Sequence, residues 1–211
     1  IRDRFEPLGC HGPLMGLPHQ LGGAPLPAPD AALLRSPLWS AAGPSLLPER
    51  QAAGERVGIV WASGRKLEDP FAEREYRKRS LPGDALWRLI AGLQAAGADV
   101  VPLQFGDDVD LVAALGFELA WPRLELGDFA QVARVVAQLD LVISVDTAMA
   151  HLLGALGAPG WILLPWSADP RWLRQRDDSP WHPSLRLFRQ PSGGAWAEAI
   201  DCLLRAFDER T

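Results

Sequence analysis

From Arg56 onward the chain alternates short unbroken apolar runs with longer stretches in which apolar residues recur every three to four positions. The runs Val57-Gly58-Ile59-Val60-Trp61, Val100-Val101-Pro102-Leu103-Gln104, Asp140-Leu141-Val142-Ile143-Ser144-Val145 and Gly160-Trp161-Ile162-Leu163-Leu164 read as strands buried on both faces, and Leu185 to Phe188 as the last strand. Between them the period changes. Pro82 to Ala96 carries Leu86, Leu89, Ile90 and Leu93 on one helical stripe, with proline near its start and Gly97 at its end. Gly106-Asp107-Asp108 reads as a turn before a short helix around 108–115. Phe129 to Leu139 is a predicted helix with Asp128 as its N-cap, and Thr147 to Leu156 another, closed by Gly157 and Pro159. Ala195 to Phe207 is a closing amphipathic helix. Continuous apolar strands alternating with helices predict an α/β domain: a doubly wound, parallel, Rossmann-like sheet with ligands expected beyond the carboxyl ends of its strands.

Residues 1–55 break this pattern. Prolines at 7, 13, 18, 25, 27, 29, 37, 44 and 48 exclude central strands and long helices, leaving loops, turns and at most a short helix near 30–42. This stretch is expected to be a linker or the tail of an upstream domain, with the Rossmann-like unit occupying 56–211. The absence of a starting Met fits a fragment or a processed product, and Ile1-Arg2-Asp3-Arg4 has no apolar segment behind it to make a signal peptide.

Composition narrows the function classes. A net charge of -5 gives no basic field for nucleic acid or an anionic membrane, and no apolar run reaches the roughly 20 residues of a spanning helix. Cys10 and Cys202 lie far apart with no CxxC and no metal spacing; they read as free thiols of a reducing, cytoplasmic compartment. Nine tryptophans against one tyrosine leave two readings, core packing or a docking surface.

The sharpest chemical string is Ser144-Val145-Asp146-Thr147-Ala148-Met149-Ala150-His151, where a buried strand runs into a helix. Unpaired N–H groups at that helix start suit a phosphate, small residues allow close approach, and His151 follows Thr147 by one turn. A capping Asp, a capping Thr and a packed core His would produce the same string without a ligand. Three further segments are candidates. Arg79, in Lys78-Arg79-Ser80-Leu81-Pro82, could grip a diphosphate with its guanidinium, or belong to a solvated basic loop with Arg74, Arg77, Glu73 and Glu75. Ser63 and Gly64 follow the first strand in a turn that is neither GxGxxG nor a P-loop. Gln104 ends the second strand at the crevice, as a candidate contact or as a plain polar residue at a strand end. Asp107-Asp108 reads as a turn and helix cap rather than a metal ligand pair.

The stretch Asp140 to Leu156, at Ser144, Asp146, Thr147, Ala148, His151 and Ala155, resembles the donor-binding motif of the ADP-heptose:lipopolysaccharide heptosyltransferases, glycosyltransferase family nine. Alanine at 148 replaces the usual glycine and keeps the small size. Arg79, three positions before Pro82, matches a basic residue that the family carries there. The segments Pro165 to Leu173 and Asp177 to Gln190, with Pro13 to Pro18 and Leu21-Gly22, resemble a subgroup of bacterial tetratricopeptide-repeat proteins with a family-nine-like C-terminal domain. The resemblance implies a GT-B fold with this chain as its C-terminal donor domain. It also implies a nucleoside-diphosphate sugar as substrate, with diphosphate contacts at Thr147 and Ala148, phosphate or sugar contacts at Asp146 and His151, and a base or ribose contact at Gln104.

An inverting, metal-independent glycosyltransferase needs no cofactor beyond that substrate. Its acceptor domain or repeats would lie upstream, and no catalytic base is legible here; Asp3, Glu6, His11 and His19 have no supporting pattern. Two other classes stay open: a degenerate interaction scaffold of a repeat protein, and a GT-B-shaped nucleotide-sugar epimerase, for which Asp107, Asp108 and Asp146 form no evident acid–base pair.

Overall fold

The computed structural model describes residues 45–64, 69–119 and 129–210. The expected loops before Ser45, the short helix near 30–42, the Asp128 cap, Trp121, Cys10 and the upstream acidic and histidine candidates lie outside the described residues.

Five strands form one sheet: β1 (Arg56–Val60), β2 (Asp99–Pro102), β3 (Leu141–Val145), β4 (Gly160–Leu164) and β5 (Leu185–Arg189). All are parallel, in the order β2-β1-β3-β4-β5, with Val57 opposite both Val100 and Leu141. The helices between them are α1 (Pro70–Arg79), α2 (Gly83–Ala95), α3 (Leu111–Ala114), α4 (Phe129–Val136), α5 (Ala148–Leu156) and α6 (Trp196–Asp208). Because side chains alternate along a strand, each strand feeds two cores. Val57, Ile59, Leu141, Ile143, Val145, Trp161 and Leu163 pack under α2 and α6. Val60, Val101, Val142, Ile162 and Leu187 pack against α4 and α5. A sheet covered on both faces is why its strands read as unbroken apolar runs.

Two features depart from the expected pattern. The basic stretch before Pro82 is not a loop: it is α1. Asp69 caps it by accepting from the Phe71 N–H at 2.9 Å, Pro70 occupies the first turn, and Arg77, Lys78 and Arg79 sit at the C-terminal end where the helix dipole favours cations. No α1 residue is buried, so there was no apolar stripe to betray it. A second short element, a single 3-10 turn over Pro170–Trp172, is capped in the same way by Asp169.

Residues 45–55 lie against the sheet unit. The Ser45 hydroxyl and the Leu46 N–H both donate to the Gln138 side-chain oxygen, and Leu47 is buried. Arg56 and Asp99 form a buried ion pair at 2.6 Å. The second Asp99 oxygen accepts from the Gln51 N–H, and Arg56 also donates to the Pro48 carbonyl. This pair ties β1 to β2 at the amino end of the sheet. The carboxyl end, where β1 and β3 send the chain to opposite sides, is left open.

Candidate functional site

A cavity of about 320 Å³ lies at that open end. Its walls come from the ends of β1 (Val60, Ala62, Ser63, Gly64), the segment after β2 (Gln104 to Asp108) and the start of α5 (Thr147, Ala148, Met149). It occupies the switch point between β1 and β3, where doubly wound sheets take ligands.

Its floor is held by Gln104. The Gln104 side-chain oxygen accepts from the N–H groups of Trp61 and Ala62 at 3.0 and 2.9 Å. Its NH₂ donates to the Ala62 and Phe105 carbonyls. The amide is 3% exposed and spends its hydrogen-bonding capacity on backbone. Gln104 therefore stands at the predicted place, but as the brace of the β1 loop rather than a free hand for a nucleoside. Ser63 is likewise buried: its N–H donates to the Ser80 hydroxyl at 3.0 Å. Gly64 is exposed at the lip.

The α5 end has the geometry of an anion seat. Thr147, not Asp146, is the N-cap; its hydroxyl oxygen accepts from the Met149 N–H at 3.2 Å. The Thr147 and Ala148 N–H groups find no protein acceptor among the described residues. Gly157 closes the helix at φ 65°, the left-handed conformation that glycine adopts without strain. Arg79 reaches this point from the end of α1. Its Nε donates to the Glu75 carbonyl at 3.2 Å and its Nη1 to the Asp146 carbonyl at 3.4 Å. The α1 helix thus delivers a guanidinium to the end of β3. Asp146 itself is 4% exposed, and its carboxylate has no hydrogen bond among the described residues.

His151 points elsewhere than the spacing suggested. It does not line the cavity. Its ring stacks on Trp172 at 5.4 Å, its Nε2 lies 3.0 Å from Arg171 Nη1, and its Nδ1 lies 3.4 Å from His182 Nε2. A guanidinium only donates, so His151 Nε2 accepts and Nδ1 carries the proton toward His182. Burial, then the Arg171 charge, pushes the His151 pKa down; burial, then His151, does the same to His182. His151 thus donates through Nδ1 and accepts through Nε2, while His182 accepts through Nε2 and its buried Nδ1 has no hydrogen-bond partner among the described residues. Arg171 is held in turn by Asp169, whose carboxyl its hydrogen bonds bring down to about 2.

Thus Ser63, Gly64, Gln104, Thr147 and Ala148 meet around one cavity, Arg79 and Asp146 join at its edge, and His151 belongs to a neighbouring cluster. Arg171, Asp169, His182 and Trp172 carry no periodic signal and become a group only through the fold; Asp169-Pro170 at the head of a turn was the one local sign of them. Asp108-Val109-Asp110 has D-x-D spacing and lies in a 3-10 turn, where the Asp108 carboxylate accepts from the Tyr76 hydroxyl. Among the described residues no three His, Cys, Asp or Glu side chains gather to hold a metal ion. Among the described residues the tryptophans divide: Trp61, Trp161, Trp172 and Trp196 are buried, Trp181 half-buried, and Trp87 and Trp166 exposed.

No protein-family model matches the sequence. Protein FlbA of Caulobacter vibrioides is 34% identical over 155 residues, which is 70% of this chain and 24% of FlbA. Two solved structures share the fold. E. coli heptosyltransferase WaaC with ADP matches at TM-score 0.54 and 22% identity, over 78% of this chain and 46% of WaaC. WaaC with ADP-2-deoxy-2-fluoro heptose matches at TM-score 0.52 and 22% identity, over 78% of this chain and 45% of that one. The chain spans about a quarter of FlbA and under half of each WaaC chain. What these matches establish is the architecture: a five-stranded parallel α/β unit with the fold of part of a heptosyltransferase.

Proposed function

We propose that this unit binds a nucleoside-diphosphate sugar and is the donor-binding half of an inverting, metal-independent glycosyltransferase of the family-nine type. The observation that carries the reading is the cavity at the β1/β3 switch point, bounded by the free N–H groups of Thr147 and Ala148 with Arg79 beside them. Those donors would neutralise a leaving diphosphate as the glycosidic bond breaks, the role a divalent cation fills in other designs. Support also comes from the solved WaaC structures of like fold, which hold ADP and an ADP-sugar. The acceptor and the base that activates it belong to a further domain or to tetratricopeptide repeats, in keeping with the fraction of FlbA and WaaC that this chain covers.

Calorimetric titration with UDP, ADP and GDP, with and without magnesium, tests the reading. One nucleotide binds without metal, and Arg79→Ala weakens it by roughly 1.5–3 kcal/mol, the worth of a hydrogen bond to a charged group. No binding of any nucleotide by the folded chain rejects the donor-site reading. Binding that requires magnesium rejects the metal-independent part and directs attention to Asp108 and Asp110.

A further inference from the structure

The loop that follows β4 carries a second set of polar groups beside the cavity. Arg171 has five N–H donors. Nε and Nη2 lie 2.8 and 2.9 Å from the two Asp169 oxygens, and Nη1 lies 3.0 Å from His151 Nε2. Two N–H groups are left with no partner among the described residues, on a side chain that is 41% exposed. His151 has none to spare, because both of its ring nitrogens face protein partners. A ligand that approaches this cluster meets Arg171, not His151.

We propose that Arg171 is the contact for the sugar of the donor and that His151 is a positioning residue that holds it. This rests on the donor-site reading above. Two arguments select a neutral sugar over a third anionic group. The first is order along the carboxyl edge. The cavity runs from the segment after β2, past β1, to the start of α5, and the β4 loop comes next. A nucleotide laid from the cavity to the α5 N-terminus therefore presents whatever follows its diphosphate to Arg171. The second is charge. Arg79 and Arg171 are matched there by Asp146 and Asp169, and Asp146 is near enough to raise the Arg171 pKa. A balanced alternation of donors and carboxylate acceptors suits vicinal hydroxyls, each of which gives and takes a hydrogen bond. A carboxylated sugar would meet two carboxylates of its own sign. Trp166, at the start of the same loop and 64% exposed, adds an apolar face for the C–H side of a sugar ring.

The test compares nucleotide with sugar nucleotide on the same 211-residue chain. UDP, ADP and GDP and their glucose, N-acetylglucosamine and mannose derivatives are titrated into the wild type, Arg171→Ala, His151→Ala and His151→Gln. The result expected is a Kd ratio, sugar nucleotide over nucleotide, that rises about tenfold in Arg171→Ala for at least one sugar, while the nucleotide Kd moves less than twofold. His151→Ala raises the same ratio by less, and His151→Gln, whose amide oxygen can accept from Arg171, restores it. An equal loss for nucleotide and sugar nucleotide makes Arg171 a phosphate or structural residue and overturns the proposal. A ratio unmoved for every sugar overturns it as well. If the wild type binds no nucleotide, the donor-site reading itself falls, a failure distinct from both. Circular dichroism at 25 °C confirms that each variant is folded, and Arg171→Lys, which keeps the charge and loses the fork, should shift the ratio in the same direction as alanine.

Discussion

Gln104 shows how far a residue's type and its job can differ. At the end of a strand, in a ligand-binding crevice, an amide invites assignment to a nucleotide base. In the fold it is fully spent on the backbone of the β1 loop. Replacing it with alanine leaves the Trp61 and Ala62 N–H groups buried without acceptors, at about 1–3 kcal/mol each. We expect Gln104→Ala to cost about 2–4 kcal/mol in urea unfolding, and to weaken any ligand of the cavity by loosening Ser63 and Gly64. A loss under about 0.5 kcal/mol, the range of ordinary surface changes, would show that the loop holds itself. His151 teaches the same lesson in reverse. His151 lies on α5 but Thr147 is its N-cap, and the two diverge because the cap is extended and accepts from the Met149 N–H, while Trp172 and Arg171 hold the imidazole at the β4 loop.

At the scale of elements, α5 and the β4–β5 connection are locked by one missing side chain. A Cβ on Gly154 would run into the stem of the His182 imidazole, at its Cβ, Cγ and Nδ1. Contact at the stem rather than the tip means that the ring cannot swing clear. Two effects then compete in Gly154→Ala. Alanine favours a helix interior by about 1 kcal/mol over glycine, whereas overpacking a fitted site costs about 1–3 kcal/mol. The clash involves three atoms of the ring and its stem, so the second should win, for a net loss of up to about 2 kcal/mol in chemical denaturation. A stabilised variant would mean that His182 packs elsewhere. The α1 helix marks the limit of pattern reading at this scale. Its capping Asp69, its Pro70 and its basic end were all visible, but a helix with no buried residue lacks the periodic stripe by which helices are recognised. The five strands and the helices that cover them were legible because each buries a continuous run or a stripe of the chain.

The whole molecule couples this site to acid. His151 and His182 are held neutral by burial, so their folded pKa values lie below the ordinary 6.5. A group with a depressed folded pKa contributes stability that is present above its unfolded pKa and lost as pH falls through the folded one. Stability should therefore be level between pH 8 and 7 and decline below about 6.5. Asp169, brought from 3.8 to about 2 by Arg171, adds a second loss as pH falls between those two values. Urea unfolding from pH 8 to pH 5 checks the first window, with His182→Phe expected to flatten it. A stability that rises on acidification through this range would mean that the imidazoles are charged in the folded state. At the opposite end of the sheet the buried Arg56–Asp99 pair is tied down by the Gln51 N–H and the Pro48 carbonyl, whereas the carboxyl end is open to a ligand.

The sequence alone determined the parallel α/β class, the number of strands and the strand-to-helix junction at Asp146 and Thr147. These follow from local facts: burial on two faces writes continuous apolar runs, and helix ends demand caps and glycines. Only the tertiary structure decided the strand order, and with it the switch point that gathers Ser63, Gly64, Gln104, Thr147 and Ala148 around one cavity. It alone joined Arg79 to Asp146 across 67 positions and His151 to Arg171 and His182. Polar side chains that serve each other at long range leave no period in the sequence, because what selects them is a partner's position in space rather than a neighbour's in the chain.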